Sequence, residues 1–395
     1  MPGPFDIPLA ALRQRTSAKW TTYGVDVLPL PVAEMDVRLA DPVARVLHEA
    51  VDRSDTGYAG DPGPVRRAFA AFADRRWGWP VSAEDVRTCP DVAAGVMAVL
   101  RVLTRPGDGV VVMPPVYPPF FAWVRTVGAT PVEVPLTGVD GGGRIDLAGV
   151  ERALAAGTRV VLLCHPHNPT GAVHPAADLV ELAALADRFG ATVLSDEIHA
   201  PLAHPGSGFR PFLTLGAAAE RTGVAFGSAS KAWNLAGLKC ALVTAGSGRR
   251  DVLEALPPEL GWAVGQFGQL AARAAFDEGE AWLDEVVAGL VRNADLLGEL
   301  LLRHLPGVRS PRPAAGYLAW LDCRALGLGD DPAQVFLDRA GVALHHGPDF
   351  GAQGAGWARI NVGCPPDLLT EAVRRMAAAV AGRSLTPPVG VDHAG

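Results

Sequence analysis

The chain has 395 residues, 49% hydrophobic and 19% charged, with 45 glycines and 34 prolines; this composition specifies a folded, turn-rich globular protein with a large core, not a fibre or a disordered tail. A formal net charge of −7 gives no basic surface for counterion release, which argues against nucleic acid or an anionic membrane face as main partner and makes small molecules the expected ones. Five cysteines without a CxxC pair imply neither a disulfide framework nor a structural zinc site, and no run approaches the roughly 18 apolar residues of a membrane span, so a soluble, cytoplasmic protein is expected.

The predicted elements begin with a short strand at residues 109–113 (GVVVM). The clearest unit follows. Residues 158–164 (TRVVLLC) read as a buried strand, 175–189 as a helix closed by Gly190, and 191–197 (ATVLSDE) as the next strand, together a βαβ unit. Residues 223–227 and 240–245 continue the series. Short apolar runs alternating with longer helical patterns predict an α/β fold whose mostly parallel central sheet is covered by helices on both faces. The pattern changes at a long helix over 281–302, where a smaller domain of mixed elements is expected. Within it Asp331, Pro332 and Gln334 supply the capping acid, first-turn proline and third-position glutamine of a helix start, so a helix should run to about residue 340. Residues 384–395 are Pro/Gly-rich and should fray.

Four stretches place polar residues at or near the carboxyl ends of predicted strands, where open α/β sheets hold ligands. In HPHNPTG (165–171) two prolines fix the backbone and leave the Asn168 amide free to meet a ligand. In SDEIH (195–199) an apolar strand ends in two acids and a histidine. In GSASK (227–231) small hydroxyl residues precede Lys231, a pattern able to cradle a phosphate beside an amine that forms a Schiff base with a carbonyl compound. In RINVG (359–363) the planar fork of Arg359 suits a carboxylate. Taken singly these are an Asn-Pro turn, a solvated strand end, a surface lysine and a surface ion pair.

In this order, with Asn168, Asp196 and Lys231 spaced by 28 and 35 residues, the set resembles the pyridoxal-phosphate enzymes of fold type I, the aspartate aminotransferase fold of the class I/II aminotransferase family, over nearly the whole length. The finer likeness is to the MalY/PatB-type branch, the cystathionine β-lyases or carbon–sulfur lyases. It is carried by residues 15–20 (RTSAKW), 32–36 (VAEMD), 115–120 (PVYPPF), 195–199, 234–238 (NLAGL) and 359–365, and above all by His199, where most of the fold has a tyrosine. The resemblance implies a large cofactor-binding domain over 51–285, a smaller α+β domain over 286–383 joined by the N-terminal segment 1–50, and a tail at 384–395. It implies pyridoxal 5'-phosphate as cofactor, with Lys231 in the Schiff base, Asp196 on the pyridine nitrogen, Asn168 on the phenolic oxygen with His199 nearby, and Tyr117 stacked on the ring. Ser228, Ser230 and the amides of Ala93 and Ala94 would hold the phosphate, Arg359 the substrate carboxylate, and Tyr58 would reach a neighbouring subunit's phosphate, which implies a homodimer with shared sites. Five positions depart from the pattern: Lys239 stands for an arginine, Pro31 for a tryptophan, Glu34 for an aspartate, Asp91 for a glycine, and Pro366 follows Cys-Pro where an arginine or lysine is usual.

On this resemblance Lys231 removes the Cα proton of a bound amino acid. With a thiolate leaving group on the β carbon the outcome is β-elimination of a cysteine S-conjugate to thiol, pyruvate and ammonia. The same residues can serve transamination or a decarboxylating tailoring reaction, and a catalytically silent binding or regulatory module would keep the fold without needing the base. The dinucleotide-binding glycine fingerprint is missing, and neither His165/His167 nor His345/His346 has a partner at metal-ligand spacing.

Overall fold

Valine-rich runs of four or five residues, too short for helices, form the centre of the molecule. The computed structural model describes residues 3–382; the expected tail at 384–395 lies outside them. Its strands in chain order are β1 (Leu28–Pro29), β2 (Val86–Cys89), β3 (Gly109–Val112), β4 (Thr130–Glu133), β5 (Val160–Cys164), β6 (Thr192–Asp196), β7 (Gly223–Gly227), β8 (Ala241–Ala245), β9 (Leu318–Asp322), β10 (Val342–Ala343), β11 (His345–His346) and β12 (Trp357–Asn361). A seven-stranded sheet has the order β2-β8-β7-β6-β5-β3-β4. Within it β7, β6, β5, β3 and β4 run parallel, and β8 lies antiparallel between β7 and β2. Every strand except β8 therefore ends on the same edge.

This is the mostly parallel sheet expected from the alternation of elements. β5 and β6 are buried at all positions, as strands covered on both faces must be, and the helix between them, Ala176–Phe189, ends at Gly190 in the left-handed conformation (φ 63°). β7 matches the sequence reading at 223–227, and the other four strands read from sequence are one or two residues shorter, their flanking residues lying outside the ladder. β2 (VRTC) and the exposed edge strand β4 (TPVE) escaped the sequence reading: neither is a continuous apolar run, and a proline fits β4 only because it is an edge.

The later part of the chain builds the antiparallel sheet β11-β12-β9, and β1 pairs parallel with β10, which ties the N-terminal segment to the C-terminal region. The long helix spans Glu280–His304 and packs on the helix Pro366–Val380. Asp331 caps the helix Pro332–Ala340 by accepting from the Gln334 amide. The capping box stays half-made, because the Gln334 side chain donates to Asp338 at 2.8 Å instead of reaching back. All five cysteines are buried and free, and no helix among the described residues is long and apolar enough to cross a membrane.

Candidate active site

The turns that leave β2, β5, β6 and β7 surround a cavity of about 270 Å³ on the common edge, where the geometry of open α/β sheets places ligands. Asp196 is the last residue of β6 and is buried. One carboxylate oxygen accepts from the Ile198 amide at 3.1 Å, and the side chain lines the cavity. Burial raises its pKa to about 6, against the opposing pull of the Ile198 amide and the Lys231 cation. Its neighbour Glu197 does not line the cavity; it accepts from Ser195 Oγ at 2.9 Å and the Phe212 amide at 2.8 Å, and burial pushes it up to about 8.

The sequence contains three lysines. Lys19 is wholly buried and paired with Asp36 at 2.7 Å, and Lys239 is paired with Asp91 at 2.9 Å. Lys231 alone meets no carboxylate among the described residues: its Nζ lines the cavity and donates to the Ala33 carbonyl at 2.9 Å. Burial, with help from the Arg359 cation, lowers its pKa to about 8, so a neutral amine is accessible near neutrality. Two residues on, Trp233 anchors the loop: its fully buried ring packs edge-on against Phe72 and Phe276, and its indole N–H donates to Gly279 O at 3.0 Å.

Asn168 also lines the cavity, and its Oδ1 accepts from Arg359 Nη1 at 2.8 Å, which leaves the amide hydrogens for a ligand. Arg359, 2% exposed, stands behind Asn168. Its Nη2 donates to Pro31 O at 2.6 Å and to His345 Nδ1 at 2.9 Å, the Phe350 ring lies 5.1 Å beneath it, and burial lowers its pKa to about 10. Tyr117 lines the cavity, edge-on to Trp123 at 5.9 Å. His199 is buried and neutral: desolvation, then Lys231 and Arg359, push it down to about 3.

At the other end, Ser228 Oγ donates to Cys240 O at 2.7 Å and accepts from the Ser230 amide at 3.0 Å, and the two serine hydroxyl oxygens lie 2.9 Å apart. Ala93 lines the cavity, whereas the Ala94 amide donates to Asp91 Oδ1 at 2.8 Å. Tyr58 is 98% exposed and lies away from the cavity of its own chain. The structure thus brings Lys231, Asp196, Asn168, His199, Tyr117, Ser228, Ser230 and Ala93 to one cavity, with Arg359 one contact behind.

The sequence singled out residues 31–36 by resemblance but not the contacts that tie this strap down, with Ala33 on the cavity wall. Arg359 holds Pro31 O; Asn361 Nδ2 holds Val32 O and Glu34 O, both at 2.7 Å; Tyr317 OH donates to Ala33 O at 3.0 Å. Asn234, in the left-handed conformation (φ 59°), grips both backbone groups of Met35. Asn361 and Asn234 stood inside stretches already singled out, but partners 199 to 329 residues away leave no local trace. His345 was missed as well; it faces Arg359 directly across the β11–β12 pair.

The family model for aminotransferase class I and II matches residues 35–376. The chain belongs to this family. A Mycobacterium leprae relative, provisionally named a cystathionine beta-lyase, is 43% identical over 95% of this chain and 97% of its own length. Cystathionine beta-lyase PatB of Bacillus subtilis (strain 168) is 34% identical over 92% of this chain and 96% of its own. Among solved structures, cystalysin from Treponema denticola, which contains pyridoxal 5'-phosphate, superposes with a TM-score of 0.90 at 25% identity, covering 97% of this aminotransferase-family chain and all of the other.

Proposed function

We propose that this aminotransferase class I/II protein is a pyridoxal-phosphate-dependent carbon–sulfur lyase that eliminates the β-thiol from cysteine S-conjugates such as cystathionine. The observation that carries the reading is Lys231: of three lysines it alone is free of a carboxylate among the described residues, and it shares one cavity with the buried Asp196 and with Asn168, which Arg359 holds from behind. The donor set fits the cofactor. A buried carboxylate with an uncommitted oxygen suits a protonated ring nitrogen, an amide NH₂ suits a phenolic oxygen, the half-buried Tyr117 ring suits a stacked heterocycle, and hydroxyl and amide donors at the start of the helix Val92–Leu103 suit a phosphate.

When bound, pyridoxal phosphate supplies an aldehyde for an amine to capture and a ring that stores negative charge. Lys231 Nζ offers that amine and then, neutral near pH 8, takes the Cα proton of the substrate. The uncommitted Asp196 oxygen would keep the ring nitrogen protonated, and Arg359 would orient the substrate carboxylate. The strap over Ala33 and the Tyr117–Trp123 pair keep water from the reacting carbon. Loss of the β-thiolate and hydrolysis with one water give thiol, pyruvate and ammonia in balance.

The homodimer, with Tyr58 reaching the partner's phosphate, belongs to this reading, as do the large domain at 51–285 with the smaller one at 286–383 and a cytoplasmic location. It is supported by a Tyr58 ring that is almost fully exposed and by five free, buried cysteines. Incubation of the purified holoprotein with cystathionine and no keto acid tests the activity. Thiol and pyruvate in equal amounts are expected; product that forms only when a keto acid acceptor is added would make the protein an aminotransferase.

A further inference from the structure

Two positions that depart from the lyase pattern turn out to be partners. Asp91 lies two residues past β2 and caps the helix Val92–Leu103, its Oδ1 accepting from the Ala94 amide at 2.8 Å, while Oδ2 pairs with Lys239 Nζ at 2.9 Å. Lys239 stands just before β8 in a left-handed conformation (φ 61°), next to Cys240, whose carbonyl holds Ser228. Asp91, Ala93, Ser228, Ser230 and Lys239 all line the cavity, so the pair belongs to the cluster of donors that suits a phosphate. Both side chains are partly exposed and can swing without breaking the core.

A phosphate dianion seeks cations, hydroxyls and helix-start amides. Here a carboxylate already engages one such amide and the nearby lysine. Burial, which raises the Asp91 pKa, is outweighed by the Ala94 amide and Lys239, and the acid stays ionised at neutral pH. Asp91 and Lys239 then sum to zero charge where an arginine opposite a glycine would leave +1.

Resting on the cofactor reading above, we propose that Asp91 competes with the cofactor phosphate for Lys239 and the Ala94 amide, and so sets this protein's hold on pyridoxal phosphate. Lys239 is released to the phosphate only as its bond to Asp91 opens. Asp91 is an affinity-setting residue and takes no part in proton transfer.

Titration of the apoprotein with pyridoxal phosphate and, separately, with pyridoxal, followed by the visible band and tryptophan fluorescence, tests this. Asp91→Asn keeps an N-cap acceptor and removes the charge; Asp91→Ser, also a good cap, gives the same comparison if the first variant folds poorly. Each should tighten pyridoxal phosphate about tenfold, the effect of one charge a few ångströms away when screened nearly as in bulk water, and leave pyridoxal within about twofold. Lys239→Gln should weaken pyridoxal phosphate about tenfold and again spare pyridoxal. An unchanged or weaker phosphate-ester affinity in the Asp91 variants, equal shifts for both ligands, or full affinity in Lys239→Gln would overturn the proposal. A wild-type chain that binds neither ligand would instead overturn the cofactor reading itself.

Discussion

Arg359 Nη1 donates to Asn168 Oδ1 at 2.8 Å, joining residues 191 apart in the chain. The bond fixes which way the Asn168 amide points, and it anchors the guanidinium proposed to receive the substrate carboxylate. Two functions drawn from separate motifs are therefore one mechanical unit. Asn168→Ala leaves a charged donor unpaired in a buried setting, at about 1–3 kcal/mol, and should raise KM for the amino acid as well as lower kcat. Steady-state kinetics of Asn168→Ala, Arg359→Lys and the double variant should show losses that do not add; additive losses would mean two independent residues.

His345 steadies the other edge of the same guanidinium. Its Nδ1 accepts from Arg359 Nη2 at 2.9 Å while Nε2 faces Asp349 at 3.4 Å, so the ring must be neutral with its proton on Nε2. Burial first, then the Arg359 cation, lowers its pKa to about 3. His345→Leu should raise KM about tenfold without changing affinity for pyridoxal phosphate, and His345→Gln, which restores an acceptor, should recover much of the loss. A fall in kcat alone would count against this positioning role.

Glu197 gives the fold a pH signature. Its folded pKa of about 8 lies above the ordinary 4.5 because of burial, so between these values the folded state binds more protons than the unfolded one. Its contribution is complete below about pH 4.5 and is lost as pH rises through 8. Glu197→Gln can keep the bonds from Ser195 and Phe212 through its Oε1 and has no proton to lose. Urea unfolding from pH 5 to 9 should show wild type losing up to about 1.4 kcal/mol per pH unit relative to the variant. Parallel curves would contradict a buried, protonated Glu197.

The strap depends on an ion pair with no exposure at either side chain. Lys19 Nζ meets Asp36 Oδ2 at 2.7 Å and also donates to Glu34 O at 3.1 Å, while Trp20 Nε1 holds the other Asp36 oxygen at 2.9 Å. Lys19→Met leaves the buried Asp36 carboxylate with only the Trp20 N–H and Arg15 at 4.0 Å, and should cost about 2–4 kcal/mol. Because Ala33 and Glu34 lie on the strap against Lys231, cofactor affinity should fall as well. Denaturation with and without pyridoxal phosphate checks both; a loss under about 1 kcal/mol would mean water reaches the pair.

What could be read from the sequence follows from the range of the forces involved. Continuous apolar runs gave β3, β5, β6, β7 and β8, and a glycine gave the end of the helix Ala176–Phe189, because those signals are local. Asp196, Lys231 and Asn168 could be picked out because a parallel sheet delivers strand-end residues to one edge whatever lies between. The strap, His345 behind Arg359 and the Asp91–Lys239 pair are contacts between segments remote in the chain or residues of ordinary type, and only the assembled fold shows them. Tyr58 is the converse case: a motif named it, and within one chain the structure leaves it in solvent.

The central claim is that the amine of Lys231 holds the cofactor. Borohydride reduction of the coloured holoprotein, followed by peptide mapping across its three lysines, should place a pyridoxyl group on Lys231 alone and abolish the visible band, with no labelled peptide from Lys231→Ala. A pyridoxyl group on Lys19 or Lys239, or an unlabelled wild-type chain saturated with cofactor, would contradict the account.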